Sequence, residues 1–469
     1  MKKHHLIFVC STIFTLLFYN ESIGINLSIF GLLLTGLIVY LYKDQFVDKS
    51  YYFLTLTSVL SCVAFAWYGD FVSFCALLFS LIFLQFKTQN PNLKPILSLP
   101  IAFINSITSL GRFFMFATWL PEKKVDNQFT KKMIAYFAIP LFFILIFYSV
   151  YAFGSEHFSN IFTNYYLDID VVEILLIGSL GLYISFSFWN YWVADYFILI
   201  NPKLDNEFSK ENENTHAPTF SFLDIDFERK SGEISMILLN VLLLTFIVTY
   251  NYEQFFQKCE IDKLSAATHE RVNAVIFSII LAVGVIQFYF KNGFNFDSKA
   301  KNLKILSKIW IVLNGLLIVS TIIKNSEYVY NCGLTYKRLG VYAFLILALM
   351  GLYYTFQKVQ NQKTNAYLAN KMLWYFYGTI LVCSYVNWGN LITNYNIYVG
   401  KGIESVYLKS LNYNDESYLE YFSTKPNENI PTIPAVVDYN YNYKSSKIVR
   451  EQNRSFLSKA LYYEFVENK

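Results

Sequence analysis

Apolar runs of nearly membrane-spanning length recur along most of the chain, each closed by a short polar stretch. A helix rises ~1.5 Å per residue, so about 20 apolar residues cross a bilayer core of ~30 Å. Runs that reach or approach that length lie at 6–22, 24–42, 51–68, 70–87, 133–154, 171–198, 233–252, 270–291, 305–324, 338–356 and 370–391. No soluble fold hides that much apolar surface. Hydrophobic residues make up 55% of the 469 residues and charged residues 15%, against about 25% charged in a typical soluble domain. The chain therefore reads as all-α, a polytopic transmembrane helix bundle of about eleven spans (1–391) followed by a polar tail (392–469). Its first partner is the lipid bilayer. A net charge of +4 gives no reason to expect nucleic acid.

Lys2 and Lys3 precede the first run, whose exit at Tyr19-Asn20-Glu21-Ser22 carries no small-x-small cleavage site, so an uncleaved first helix is expected. Segment 96–120 is apolar but has Ser98, Asn105, Ser109 and Arg112 at helical spacing. We read it as an interfacial helix with Asn105, Ser109 and Arg112 toward water. With the N-terminus inside and eleven spans, the inside segments collect 23 Lys/Arg and the outside loops 6, the bias that sets orientation. The loop at 200–232 is then polar and inside. The tail, with nine Lys/Arg and nine Asp/Glu, is extracytoplasmic and has helical stretches near 403–422 and 447–466. Its size alone makes a folded unit marginal.

His269-Glu270-Arg271-Val272-Asn273 reads like half of a zinc-protease motif at the start of the eighth span. The second histidine is replaced by Asn273, so no metal site and no catalytic set is assigned. What remains is an outer polar site of His269, Glu270, Asn273 and Arg338, or a helix start wetted by interface water. Asn190, Asn240, Asn314 and Asn387 are the candidate intramembrane polar residues, either as interhelical hydrogen-bonding groups or as a polar pathway. No acidic or basic residue sits at mid-depth in any run, which weighs against a proton-coupled carrier. Asp168/Asp170 and Asp224/Asp226 share a spacing that can hold a metal but is common in helix starts and loops. Cys259 and Cys332 fall in outside loops, where an oxidising compartment leaves a disulfide open to them. Trp189-Asn190-Tyr191-Trp192 reads as an interfacial belt. No cofactor motif is found.

Four stretches in order carry a resemblance: Leu17-Phe18-Tyr19 with Gly24-Ile25-Asn26 and Phe30; His269 with Asn273; Cys332-Gly333-Leu334-Thr335 with Arg338; and Tyr407-Leu408-Lys409-Ser410-Leu411. Together they resemble the bacterial polytopic membrane families known as domains of unknown function 4153 and 4173. The resemblance implies a multi-span inner-membrane body and brings no reaction, substrate or cofactor. From the residues themselves, Gly333 permits a tight turn, Thr335 caps the next helix, and Arg338 sits one turn inside it.

Three functions stay open. The first is a non-enzymatic envelope protein that senses, scaffolds or regulates, meeting a protein partner through its tail. The second is a transporter or permease for a small or lipidic solute. The third is an outward-facing transferase on a lipid-linked substrate. Convergence of His269, Asn273, Asp168 and Arg338 on one cavity would favour the latter two. On the outer face, the loops at 251–271 and 325–338 and part of the tail are expected to pack into one cap with His269 or Arg338 facing a pocket beneath it; the alternative is a tail that floats free above unconnected loops.

Overall fold

A computed structural model describes residues 2–45, 48–121, 132, 135–136, 139–155, 158, 170–209, 222, 224–256, 261–291, 293–424 and 434–466, with the backbone alone at 45, 254–256, 261–271, 424, 434–439 and 441. These residues are helical, with no strand among them. The longer helices are α1 (Lys3–Phe18), α2 (Ile25–Leu41), α3 (Lys49–Tyr68), α4 (Phe71–Gln89), α5 (Ser98–Arg112), α6 (Ile139–Gly154) and α7 (Val171–Trp189). They continue with α8 (Ile225–Phe256), α9 (Ile261–Tyr289), α10 (Lys301–Cys332), α11 (Tyr336–Gln360) and α12 (Asn365–Tyr385). Three belong to the tail: α13 (Trp388–Val399), α14 (Asp415–Thr424) and α15 (Pro434–Gln452). Seven helices, α3, α4 and α7–α11, are long and apolar enough to cross a membrane. α1, α2 and α6 are apolar but shorter. This is a membrane protein.

Two apolar cores lie side by side. One joins α1–α4, α7 and α12 around Phe14, Phe30, Phe65, Leu84, Phe186 and Tyr377. The other joins α8–α11 around Met236, Ile286, Phe290, Leu317 and Leu352. α12 packs on both α4 and α11 and so connects the two. The first core holds a chain of hydroxyls that the apolar runs concealed. Tyr377 Oη donates to Thr57 Oγ1 (2.9 Å) and lies 2.8 Å from Ser80 Oγ. Ser80 lies 3.0 Å from Ser61, which reaches Tyr385 Oη at 3.1 Å. In hydrocarbon each hydroxyl needs such a partner, and the network pins α3, α4 and α12 together.

Hairpins are set by local chemistry. Asp70 caps α4, accepting from Ser73 N (2.8 Å) in a reciprocal capping box. Buried Asn26 ties the α1–α2 turn: its Oδ1 accepts from Gly24 N (2.9 Å) and its Nδ2 donates to Leu17 and Ser22 carbonyls. Asp170 caps α7, accepting from Val172 N and Glu173 N. A helix start is thus what Asp170 serves; Asp168 lies outside the described residues. Asp226 pairs with Arg229, which also meets Asp297 at 3.0 Å.

Three expectations are corrected. The sixth run does not form one helix over 171–198: α7 stops at Trp189, the chain crosses 190–194 without helix, and a short helix Asp195–Ile200 follows. His269 does not open its helix, because α9 begins at Ile261, two turns earlier. The polar stripe of α5 faces the protein instead of water. Asn105 and Ser109 are buried, while Phe103, Ile107 and Leu110 are exposed. The interrupted end of α7 is the reason. Its carbonyls have lost their helical partners, and α5 supplies donors. Asn105 Nδ2 donates to Ser187 O (2.9 Å) and its Oδ1 accepts from Trp192 N (3.0 Å). Arg112 donates to Asn190 O (2.9 Å) and Asn105 Oδ1 (2.7 Å), with its guanidinium over the Trp192 ring. Replacing Arg112 with Met orphans these acceptors. The expected result is a loss of about 2–3 kcal/mol, read as a lowered melting temperature, with faster hydrogen exchange at 187–194.

Candidate functional site

The tail folds into a cap. α13, a short helix Ser405–Ser410, α14, α15 and two 3-10 turns (Phe456–Ser458, Leu461–Glu464) enclose a core of Leu408, Leu411, Tyr418, Leu419, Phe422 and Ile448. That core continues into the bundle through Val329 and Leu334, with Trp67 and Leu339 packed against it. Sharing apolar surface with the bundle is how so small a unit reaches a stable core.

Three seams lock the cap to helix ends. At the first, Gly333 (φ 81°) leaves α10 in the left-handed region. Asn396 of α13 brackets the turn: its Oδ1 accepts from Leu334 N (2.6 Å) and its Nδ2 donates to Leu334 O (3.0 Å) and Gly402 O (3.2 Å). Thr335 caps α11, accepting from Arg338 N. At the second, Ile25 N donates to Lys459 O (3.2 Å) and Ser22 N to Ser458 Oγ (2.8 Å). A Cβ on Gly24 would meet the Ser458 carbonyl carbon at 2.5 Å, so only glycine permits this approach. At the third, Tyr413 Oη donates to Tyr68 O (2.6 Å), and Asn387, which caps α13, donates to Tyr413 O (2.8 Å).

Of the outer polar site expected from the sequence, only Arg338 and Asn273 have described side chains. Arg338 is buried: it donates to Cys332 O (3.0 Å) and Gly333 O and stacks on the Tyr328 ring at 3.9 Å. It closes the end of α10. Asn273 is exposed on the flank of α9. The side chains of His269 and Glu270, and all of Cys259, lie outside the described residues, so the part that 257–271 was expected to play in the cap falls outside them too. Cys332 is the half-buried last residue of α10. Asn240 and Asn314 are buried in the second core. Asn240 donates to Met236 O and Leu306 O, and Asn314 to Trp310 O. The Oδ1 of each has no hydrogen-bond partner among the described residues. Asn190 ends α7.

What the structure does assemble is a pocket of about 240 Å³ in the cap, lined by Lys409, Ser410, Asn412, Tyr443, Lys444 and Lys447, with Val406 and Leu411 as its apolar part. Lys444 forms its back wall. This ammonium is 1% exposed; it donates to Leu411 O (2.9 Å) and Asn414 Oδ1 (2.6 Å) and pairs in charge with the fully buried Asp415 carboxylate at 3.0 Å. Burial lowers the proton affinity of Lys444, Asp415 opposes that, and Lys447 and Lys409 add to the lowering. Lys447, half-buried, sits over the Tyr463 ring at 5.4 Å. Lys409 lies over Tyr443 at 4.3 Å. Burial, reinforced by the Asp415 charge, raises Tyr462, whose Oη accepts from Asp415 N. Spacing on α15 (Tyr443-Lys444, then Lys447) was the only sequence signal for this pocket.

The family described as "Domain of unknown function (DUF4153)" matches residues 27–420. The chain belongs to that family. The DUF4153 match runs from α2 into α14, so it takes in Gly333, Arg338, Asn396 and Lys409 and stops before Lys444 and Lys447. No curated protein and no solved structure matches the chain.

A second feature escaped the sequence reading. Lys358, near the C-terminus of α11, is fully buried; it donates to Phe290 O (2.7 Å) and lies 6.0 Å from the Phe290 ring centre. It packs at the end of α11 away from the cap, where Lys304 and Gln362 both donate to Asn295 O.

Proposed function

We propose that this DUF4153 protein is a non-enzymatic sensing or scaffolding protein of the bacterial inner membrane, with eleven spans, a cytoplasmic N-terminus and an extracytoplasmic cap. The observation that carries it is the three-seam docking of the cap onto the ends of α1–α3, α10 and α11, which supports transmission of a contact on the cap to the spans. Eleven helices, α1–α4 and α6–α12, correspond to the eleven apolar runs. α5, at 15 residues about 22 Å long, carries Asn105, Ser109 and Arg112 on one face. Its apolar face toward lipid and polar face toward α7 support a position at the cytoplasmic interface.

The scatter of Arg338 and Asn273 favours this reading over a transferase. Solute transport remains the competing reading because of the buried, half-satisfied Asn240 and Asn314. Photo-crosslinking residues placed at exposed Tyr398 and Val406 distinguish them. The expected result is a discrete adduct with one envelope protein in membranes. Absence of an adduct at both sites, with solute flux in proteoliposomes that is lost in Asn314→Leu, would replace scaffolding with transport.

A further inference from the structure

We infer that the last turns of the tail, residues 455–466, rest on the bilayer surface and set Phe456 and Phe465 into the interfacial layer of the leaflet nearest the cap. The inference goes beyond the scaffold reading: the partner it names is the lipid surface itself, on whichever side of the membrane the cap stands.

The tail contains three phenylalanines. Phe422 is buried in the cap core, whereas Phe456 is 63% and Phe465 69% exposed. Their place in the fold accounts for the difference. Ser455 and Ser458 both donate to the Glu21 carboxylate, which fastens the turn Phe456–Ser458 to the end of the α1–α2 hairpin. Phe465 stacks on Trp67 of α3 at 5.3 Å between ring centres, and most of its surface stays open. Between these two anchors the segment crosses the α3–α4 turn, where a Cβ on Gly69 would lie 3.5 Å from that of Ala460. The hairpins beside it present Ile23 and Phe71, both exposed. Within two turns along the spans, Leu16, Ile29, Val63 and Val72 are exposed in the same way, as lipid-facing side chains are. The apolar surface of α1–α4 thus continues onto the foot of the cap, and the bilayer that covers the one is the occupant that fits the other.

Charge and backbone set the depth. From Phe456 to Phe465 the charged residues are Lys459 and Glu464, which pair with each other. The segment therefore brings no net charge to the interface. Its backbone is two 3-10 turns joined by Lys459 and Ala460 in extended conformation. Such a chain leaves carbonyl and amide groups that hydrocarbon cannot satisfy and interfacial water can. Phenylalanine rings side by side with a wet backbone suit the headgroup–acyl boundary, within the ~5–10 Å that interfacial segments reach. The segment lies on the leaflet and does not enter the hydrocarbon.

The test uses the full chain in nanodiscs of phosphatidylcholine and phosphatidylglycerol. A fluorescent amino acid is incorporated singly at Phe456, at Phe465 or, as reference, at Tyr443, an exposed cap residue on α15. Phosphatidylcholine carrying a nitroxide near the top of the acyl chain, or near its methyl end, quenches the probe. Quenching at Phe456 and Phe465 is expected to exceed that at Tyr443 by about threefold or more, and to be stronger from the shallow nitroxide. A second readout keeps the probe out of the segment: Phe456→Ser should speed hydrogen exchange at 455–459 in nanodiscs while 415–424 stays unchanged. A side chain that faced only water would leave both regions unchanged. Quenching no greater than at Tyr443, or strongest from the deep nitroxide, overturns the inference. Should a probe lower the melting temperature, the exchange comparison decides, and unchanged exchange at 455–459 in Phe456→Ser overturns it. Loss of the crosslinks at Tyr398 and Val406 with quenching intact would remove the scaffold reading and keep the bilayer contact.

Discussion

Lys444→Met is expected to destabilise the cap by about 3–5 kcal/mol, the cost of leaving one charge of a buried pair uncompensated. Asp415 is fully buried and pairs with Lys444 at 3.0 Å. Removing that cation also orphans Leu411 O and Asn414 Oδ1, which position the loop between Ser405–Ser410 and α14. The measurement is limited trypsin cleavage after Lys447 and Arg450 of α15, whose helical backbone resists the protease until the cap opens. Lys444→Met/Asp415→Leu should recover most of the loss, because an apolar pair of similar volume replaces a buried ion pair at little cost. Equal cleavage in the parent and the single variant would show that this pair does not hold the cap together.

Gly333→Val is expected to have the second largest effect. The left-handed backbone alone costs a β-branched residue roughly 1–3 kcal/mol. The new Cβ would also meet Lys401 O at 2.7 Å and Asn396 Oδ1 at 2.8 Å, so the bracket that Asn396 makes across the turn opens. Losing buried amide pairing adds about 1–3 kcal/mol. Hydrogen exchange should accelerate at 333–340 and 396–402 while 98–112, at the other end of the bundle, stays protected. Uniform exchange across both regions would mean that the seam is not where the cap is fixed.

Helices were legible in the sequence because lipid leaves the backbone no alternative: each apolar run has to satisfy its own hydrogen bonds. The turn at Gly333-Leu334-Thr335 was legible for the same local reason, as φ 81° and the Thr335 cap bear out. What failed was the direction of polar stripes. Asn105, Ser109 and Arg112 have the periodicity of a wetted face, and nothing in 96–120 reveals that α7 will stop at Trp189 and present unpaired carbonyls to them. Arg338 misled similarly: a basic residue near a span mouth is equally suited to a ligand or to the carbonyls of Cys332 and Gly333. The basic pocket depends on Lys409 and Lys447 meeting across 38 residues of tail, which no local pattern encodes. Lys358 lies just past the apolar run at 338–356, and its burial against Phe290 is a tertiary fact.

The position of the cap relative to the membrane is the most direct test of this account. In a background with the native cysteines replaced, single cysteines at Tyr398, Val406 and Tyr443 on the cap, and at Asp205 and Glu207 beyond the far end of the bundle, are treated in intact cells with a membrane-impermeant maleimide. The account predicts labelling at all three cap positions, and at Asp205 and Glu207 only after permeabilisation. Labelling of Asp205 or Glu207 in intact cells, with the cap positions protected, would contradict it.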